Sequence, residues 1–353
     1  MRIAFVLPSL INKGPVIVVR DLVNALVEKE NITCVIYYLD DARELDFNAE
    51  TIYVKSLSQI DFNAFDIVHT HLLRPDVFMA LRRNKFRKAK LVSTIHSYMK
   101  EDLKNSYGPV VAFFTRYIWC RMLNRYDKVV CLSNDMKNYY AKYINPRILT
   151  SVYNGRTIHN TGAAESALPE TETAAITHLR KDFKIIGGIG NVTRIKGFEQ
   201  LVQVLAINPK FALIIIGEGI EKENLIQLAT ELGVQDRCLF LGYKANARDY
   251  HKFFDIYAVT SFSEGFSLVL IEAASKGLPT LCSDIPIFKE LFSPREVSFY
   301  KLYDIEDMSK SLDLLLKNAA DYSRHIRVKF FENYTVEAMC NGYLAVYNSL
   351  LEP

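Results

Sequence analysis

The chain has 353 residues, half of them apolar, with 43 Lys or Arg against 40 Asp or Glu and a net charge of +3. That length and apolar content suit two domains, each with its own core. No apolar run reaches the roughly 18 residues that cross a bilayer, which argues against a spanning protein. The six cysteines form no CxxC pair and mostly sit in apolar runs, as reduced thiols of a cytosolic protein do.

Arg2 to Leu7 is apolar nearly throughout and predicts a central strand. Pro8 and the polar residues after it fit a strand followed by a loop better than a signal peptide. The loop contains Gly14, a helical repeat runs from Val16 to Glu28, and a second strand is expected over Thr33 to Leu39. One glycine is too few for the G-x-G-x-x-G of a dinucleotide site. Further strands are read at Thr51 to Val54, Phe65 to His69, Leu91 to Ile95, Lys128 to Leu132 and Ile148 to Val152, with a helix over Ser133 to Tyr143.

His69, His71 and His96 fall at or just after strand ends, but no C-x-x-C or H-E-x-x-H accompanies them, so no metal is expected. His96 stands out, because a neutral ring nitrogen at the carboxyl end of a strand can meet a sugar or phosphate oxygen; a satisfied structural histidine is the alternative.

Charge is unevenly spread. Between Arg74 and Lys128 there are 13 basic against 4 acidic residues, with Arg82, Arg83, Lys85, Arg87, Lys88 and Lys90 close together. An ordinary solvated face fits this run, and so does contact with anionic lipid or a phosphate-bearing acceptor; nucleic acid fits less well. The aromatic helix predicted over Tyr107 to Arg125 suits core or acceptor-groove lining equally.

From Arg156 to Asp182 periodicity fades and Ala, Thr, Glu and Ser dominate, as at a domain boundary. A second strand-helix series follows: strand Phe183 to Ile186, a glycine-rich loop, helix Phe198 to Leu205, strand Phe211 to Ile216, helix Glu221 to Leu232 and strand Cys238 to Leu241. Ile256 to Asp284 then reads as strand, loop, helix from Ser267 to Lys276, and strand, a right-handed βαβ crossover. The reading is α/β, with two Rossmann-like doubly wound domains facing each other across a cleft: residues 1–165, 166–335, and a last helix at 336–353 that either finishes the second domain or packs back on the first.

The loop after the strand at 183–186 places Asn191, Arg194 and Lys196 among four glycines, where close backbone approach and positive charge suit phosphate. Glu264 lies in the later loop and Glu272 on the following helix, whose first amides over Ser267 to Val269 have no partner within the helix. Phosphates at that helix start and a carboxylate accepting from vicinal hydroxyls together suggest a nucleotide diphosphate ligand.

The run EGFSLVLIE from Glu264 to Glu272 resembles the E-x7-E motif of retaining glycosyltransferases of family 4, which have the GT-B fold and use nucleotide sugars. STIHS around His96, VYNG ending at Gly155, GNVTRIKG from Gly190, IGEG ending at Gly219 and SFSEGF from Ser261 carry the resemblance along almost the whole chain. It implies a hexosyltransferase taking a hexose or N-acetylhexosamine from a nucleotide diphosphate sugar, most simply a UDP-sugar. The acceptor would be a saccharide or a polyprenyl-diphosphate-linked saccharide in bacterial polysaccharide, lipopolysaccharide or capsule assembly. By the resemblance Glu264 and His96 act at the transferred sugar, Glu272 holds the ribose and Lys196 the pyrophosphate. Gly14, Asn191, Arg194, Glu218 and the segment Phe266, Ser267, Leu268 and Val269 complete the donor-binding set.

Two departures are visible. Asn191 stands where an arginine is common, so Arg194 is expected to supply that charge, and the first loop has Lys13, Gly14 and Pro15 in place of paired glycines. The resemblance implies no cofactor and no metal, a cytoplasmic location at the inner face of the membrane, and no nucleic-acid partner. A nucleotide-sugar epimerase or a non-catalytic nucleotide-sugar-binding protein are the alternatives.

Overall fold

The computed structural model describes residues 1–85, 88–99, 108–157 and 168–352. Arg87, Tyr107 and residues 158–167 of the expected linker lie outside the described residues. The chain divides into two units, Met1–Thr157 with Asn333–Pro353, and Ile158–Glu332.

In the first unit the strands are β1 (Arg2–Leu7), β2 (Thr33–Tyr38), β3 (Glu50–Tyr53), β4 (Ile67–His71), β5 (Lys90–Ile95), β6 (Lys128–Cys131) and β7 (Leu149–Ser151). They form one parallel sheet in the order β3-β2-β1-β4-β5-β6-β7. Ile3 to Leu7 are all buried, as a strand covered by helices on both faces must be. The second unit contributes β8 (Lys184–Ile189), β9 (Phe211–Ile216), β10 (Cys238–Phe240), β11 (Ile256–Val259), β12 (Thr280–Ser283) and β13 (Ser298–Tyr300). These too are parallel, in the order β10-β9-β8-β11-β12-β13. Both sheets run outward from their first strand on one side and then resume on the other. Each therefore has a switch point, between β1 and β4 and between β8 and β11, where the connections leave toward opposite sides of the sheet and a crevice for a ligand forms at the strand ends.

The helix Glu199–Ile207 buries Leu201, Val202, Val204 and Leu205 against this second sheet, and the helix Ile305–Lys317 adds Met308, Leu312 and Leu315 to the same core. The latter, its successor Ala319–Asn333, the short helix Pro286–Leu291 and β13 were not anticipated from sequence. A helix also occupies Glu170–Asp182, where sequence periodicity fades. Only Ile176 and Leu179 of it are buried, which is why no apolar stripe announces it, while Glu170 and Glu172 in its first turn and Arg180 and Lys181 in its last complement the helix dipole.

The last helix, Val336–Leu351, packs on the first unit. Thr335 caps it, accepting from the Ala338 amide at 3.1 Å. Tyr347 Oη lies 2.7 Å from His69 Nδ1, Tyr343 Oη lies 3.0 Å from Thr94 Oγ1, and His69 Nε2 lies 2.8 Å from that same hydroxyl. The start of the helix is fixed by Arg156, whose amide donates to the Tyr334 carbonyl at 2.9 Å and whose carbonyl accepts from the Val336 amide at 3.2 Å. The Arg156 guanidinium is buried and bonds to the Asp21 carboxylate on the helix Gly14–Val27. No helix among the described residues is long and apolar enough to cross a membrane.

A second buried carboxylate holds the other side of the sheet. Asp76, on the helix Leu73–Leu81, accepts from Thr70 of β4, from Ser93 of β5 at 2.9 Å and from Trp119 Nε1 at 2.8 Å. Burial disfavours its charged form and outweighs these three bonds, so its pKa is pushed up to about 7. A carboxyl whose folded pKa exceeds its unfolded one supports the fold below the unfolded value and loses that support as pH rises through the folded one. The melting temperature of Asp76→Asn minus that of the parent should therefore grow between about pH 4 and pH 7, by the equivalent of a few kcal/mol. An offset at low pH is set by the Trp119 bond that an amide nitrogen cannot accept. A pH-independent difference would show that the carboxyl does not titrate there.

Candidate functional site

In the second unit, the site forms where the loops after β8 and β11 meet at the switch point. After β8 the chain runs through Gly190 to Thr193 into a 3-10 turn at Arg194–Lys196, closed by Gly197 in the left-handed region at φ 63°. Thr260 Oγ1, just past β11, donates to the Lys196 carbonyl at 2.8 Å, and the Phe262 amide donates to the Ile195 carbonyl at 2.8 Å. The two loops are thus latched through their backbones. A Cβ at position 197 would stand 2.4 Å from the Thr260 carbonyl oxygen, so this crossing requires glycine.

On that latch, Lys196 Nζ donates to Glu264 Oε1 at 2.5 Å, with both side chains partly buried. Ser261 Oγ donates to the same oxygen at 2.8 Å, and Ser283 Oγ at the end of β12 donates to the Ser261 carbonyl at 2.6 Å. The carboxylate is oriented from two sides. Immediately beyond it, Ser267 precedes the helix Leu268–Lys276, which ends on Gly277. Its hydroxyl is buried without a partner among the described residues and does not cap the helix, leaving the first-turn amides over Ser267 to Val269 outside the helical ladder. Phe266 is buried beside them, and Leu268 and Val269 are partly exposed. Glu272, one turn on and 14 % exposed in its side chain, has Arg248 Nε 3.7 Å from its Oε1.

The other second-unit candidates lie differently. Gly217 after β9 packs so closely on the Gly190 carbonyl that an added Cβ would come within 1.8 Å, which brings the Glu218 backbone to the Val192 amide at 2.8 Å. The Glu218 carboxylate, however, is half exposed and accepts from Lys222 at 2.7 Å. Asn191 is exposed. Arg194 lines a cavity of about 480 Å³ with Glu199 and Glu221, rather than joining the Lys196 and Glu264 contact.

In the first unit, Gly14 opens its helix in the loop after β1, and His96 follows β5. His96 Nε2 lies 2.9 Å from His71 Nδ1 at the end of β4, one ring donating to the other, so Nδ1 is the His96 nitrogen left for a ligand. Burial lowers the pKa of His96 to about 4 and that of His69 to about 3, with His71 also well below the ordinary value. All three rings are neutral near pH 7.

Ser261, Ser283, Thr260 and Arg248 are site residues that sequence reasoning missed. Ser261 had a signal, three residues before Glu264 in a turn where a hydroxyl readily meets a carboxylate. Arg248 had none, since it comes from the distant 3-10 turn Ala247–Phe253.

Residues 170–329 match the model of Glycosyl transferases group 1, and residues 13–158 that of Glycosyltransferase Family 4. The O-antigen biosynthesis glycosyltransferase WclY of Escherichia coli is 31% identical over 99% of each chain. The UDP-Gal:alpha-D-GlcNAc-diphosphoundecaprenol alpha-1,3-galactosyltransferase of Escherichia coli is 24% identical over 79% of this chain and 72% of its own. Among solved structures, Anabaena Alr3699/HepE in complex with UDP superposes with a TM-score of 0.78 at 17% identity, covering 99% of this chain and 100% of that one. The two Rossmann-like units have the GT-B layout.

Gly197→Ala should destabilise the second unit by about 1–3 kcal/mol, through its left-handed backbone and the Thr260 contact. Urea unfolding reads this, and an unchanged midpoint would mean that the latch tolerates a side chain.

Proposed function

Because the chain belongs to the glycosyltransferases, with a group 1 domain after a Family 4 domain, we propose that it transfers a hexose or N-acetylhexosamine from a UDP-sugar with retention of configuration. The acceptor is a saccharide or polyprenyl-diphosphate-linked saccharide, and the product a bacterial O-antigen, lipopolysaccharide or capsule. The observation that carries this reading is the Lys196–Glu264 contact across the β8 and β11 switch point, directly before a helix start with unladdered amides. Cation and amides suit a diphosphate, and the carboxylate suits a sugar next to it.

UDP as the nucleotide is supported by its presence in the complex of Alr3699/HepE. A lipid-linked acceptor is supported by the galactosyltransferase whose named acceptor carries diphosphoundecaprenol. O-antigen assembly is supported by the role named for WclY.

In the proposed reaction the bond from the anomeric carbon to the β-phosphate oxygen breaks as the acceptor oxygen approaches the same face. The acceptor proton passes to the departing phosphate, so no separate base is required. Negative charge growing on the phosphate meets Lys196 and the amides of Ser267 to Val269, donors already in place before reaction. Glu264, held by Ser261, faces the cationic sugar centre, while Glu272 accepts from the ribose hydroxyls and Arg248 orients it. His96, neutral, contacts the sugar. No cofactor or metal is part of this reading.

UDP or the correct UDP-sugar should raise the melting temperature, a hundredfold excess over Kd adding about 2.7 kcal/mol. Glu272→Ala should weaken UDP binding at least about tenfold by removing a charged hydrogen-bond acceptor. Glu264→Gln should keep UDP binding within about threefold while turnover falls at least about a hundredfold. Proton NMR of the product reads the anomeric configuration, and an inverted linkage would sink the retention claim.

A further inference from the structure

The helix Pro109–Leu123 has two apolar faces. Ala112, Trp119, Cys120 and Leu123, spaced i, i+7, i+8 and i+11, are buried in the first unit. Val110, Phe113, Phe114, Tyr117 and Ile118, spaced i, i+3, i+4, i+7 and i+8, form a stripe on the other side and are each between 50 and 67 % exposed. Core packing therefore accounts for only half of this helix. An apolar patch of this kind marks a surface that meets another phase or partner.

The patch extends beyond the helix. Ile118 and the exposed Leu81 line an apolar groove of about 580 Å³ with Phe78. Lys55 and Arg74 also line it, Arg74 paired with Asp40 at 2.8 Å. The Arg82 guanidinium lies 4.2 Å from the Phe78 ring centre, which places the start of the basic segment against this groove.

Charge selects the occupant. Val77 to Met99 contains six Lys or Arg and Gly108 to Arg125 contains three, with no Asp or Glu in either stretch. The intervening residues 100–107 carry two basic and two acidic side chains, Glu101 and Asp102, and so leave the balance positive. The acids on either side are engaged, Asp76 by burial within its hydrogen bonds and Asp127 by Arg83 at 3.0 Å. A two-fold dimer through this face would set like charges against each other. An anionic bilayer takes up an aromatic stripe and a basic border together.

We infer that this face is a lipid-docking surface, with the helix Pro109–Leu123 lying in the headgroup layer, its exposed aromatic stripe entering the acyl region, and Arg82, Lys85 and Lys88 bearing on anionic headgroups. Docking would bring the first unit to a lipid-linked acceptor, a purpose that rests on the proposed function. Exposure and charge support the docking by themselves.

Sedimentation with vesicles of phosphatidylcholine, alone or mixed with phosphatidylglycerol, tests it. The intact chain should bind the mixed vesicles, and Phe113→Ser/Phe114→Ser/Tyr117→Ser should weaken that binding at least about tenfold. Thermal unfolding and turnover on a short soluble acceptor should not change, because these side chains are exposed and outside the proposed site. Arg82→Glu/Lys85→Glu/Lys88→Glu should abolish the preference for anionic vesicles. Absence of binding by the parent protein, or undiminished binding by the aromatic variant, would overturn the inference. So would a dimer in sedimentation velocity that the aromatic variant dissociates while neither protein binds vesicles. Vesicle binding with no transfer from any nucleotide sugar would uphold the docking surface and refute the transferase reading separately.

Discussion

A charged guanidinium at 2 % exposure is tolerable only if it is paired, since an uncompensated buried charge costs several kcal/mol. Arg156 meets that constraint through Asp21, and its backbone bonds the residues on either side of Thr335. The direction of the last helix follows from there. Tyr343 and Tyr347 are delivered to Thr94 and His69, which sit on the strand that His96 follows and the strand that ends at His71. A run of contacts thus leads from one buried ion pair to the histidine pair at the switch point of the first sheet.

The second unit achieves order by different means. Backbone bonds bring its two loops together, glycine permits the approach, and the Lys196–Glu264 pair forms on top of that fixed support. The lysine charge is balanced by the carboxylate. In the proposed reaction a diphosphate shares the lysine with Glu264, and a carboxylate partly released from its partner is better able to offset positive charge on the sugar ring.

Fold and site were legible to different extents. Strands buried on both faces announce themselves by continuous apolar runs, so β1, β9 and β11 were read nearly to the residue, and the βαβ unit over 256–284 followed from length and the Gly277 stop. The helix at Glu170–Asp182 was lost because two buried residues make no periodic stripe. In the site, Lys196, Glu264 and Glu272 could be singled out because glycine spacing and helix-start geometry are local. Arg248 and the Ser283 support could not, since tertiary contact alone brings them close. Arg194 shows the limit of adjacency: two residues from Lys196, it lines a different cavity, with Glu199 and Glu221. The aromatic helix was read as core or groove because composition does not reveal that a helix is apolar on two faces.

The chain leaves the first unit at Thr157 and re-enters at Asn333, so the second unit is an insertion within the first. A ribosome therefore delivers all six strands of the second sheet before the helix Val336–Leu351 exists. Until then His69 lacks Tyr347, Thr94 lacks Tyr343, and the backbone of Arg156 lacks its partners at Tyr334 and Val336. The part of the protein made first is consequently the part finished last, and nascent chains stalled short of residue 336 would carry a completed second sheet beside a first one still missing its closing helix.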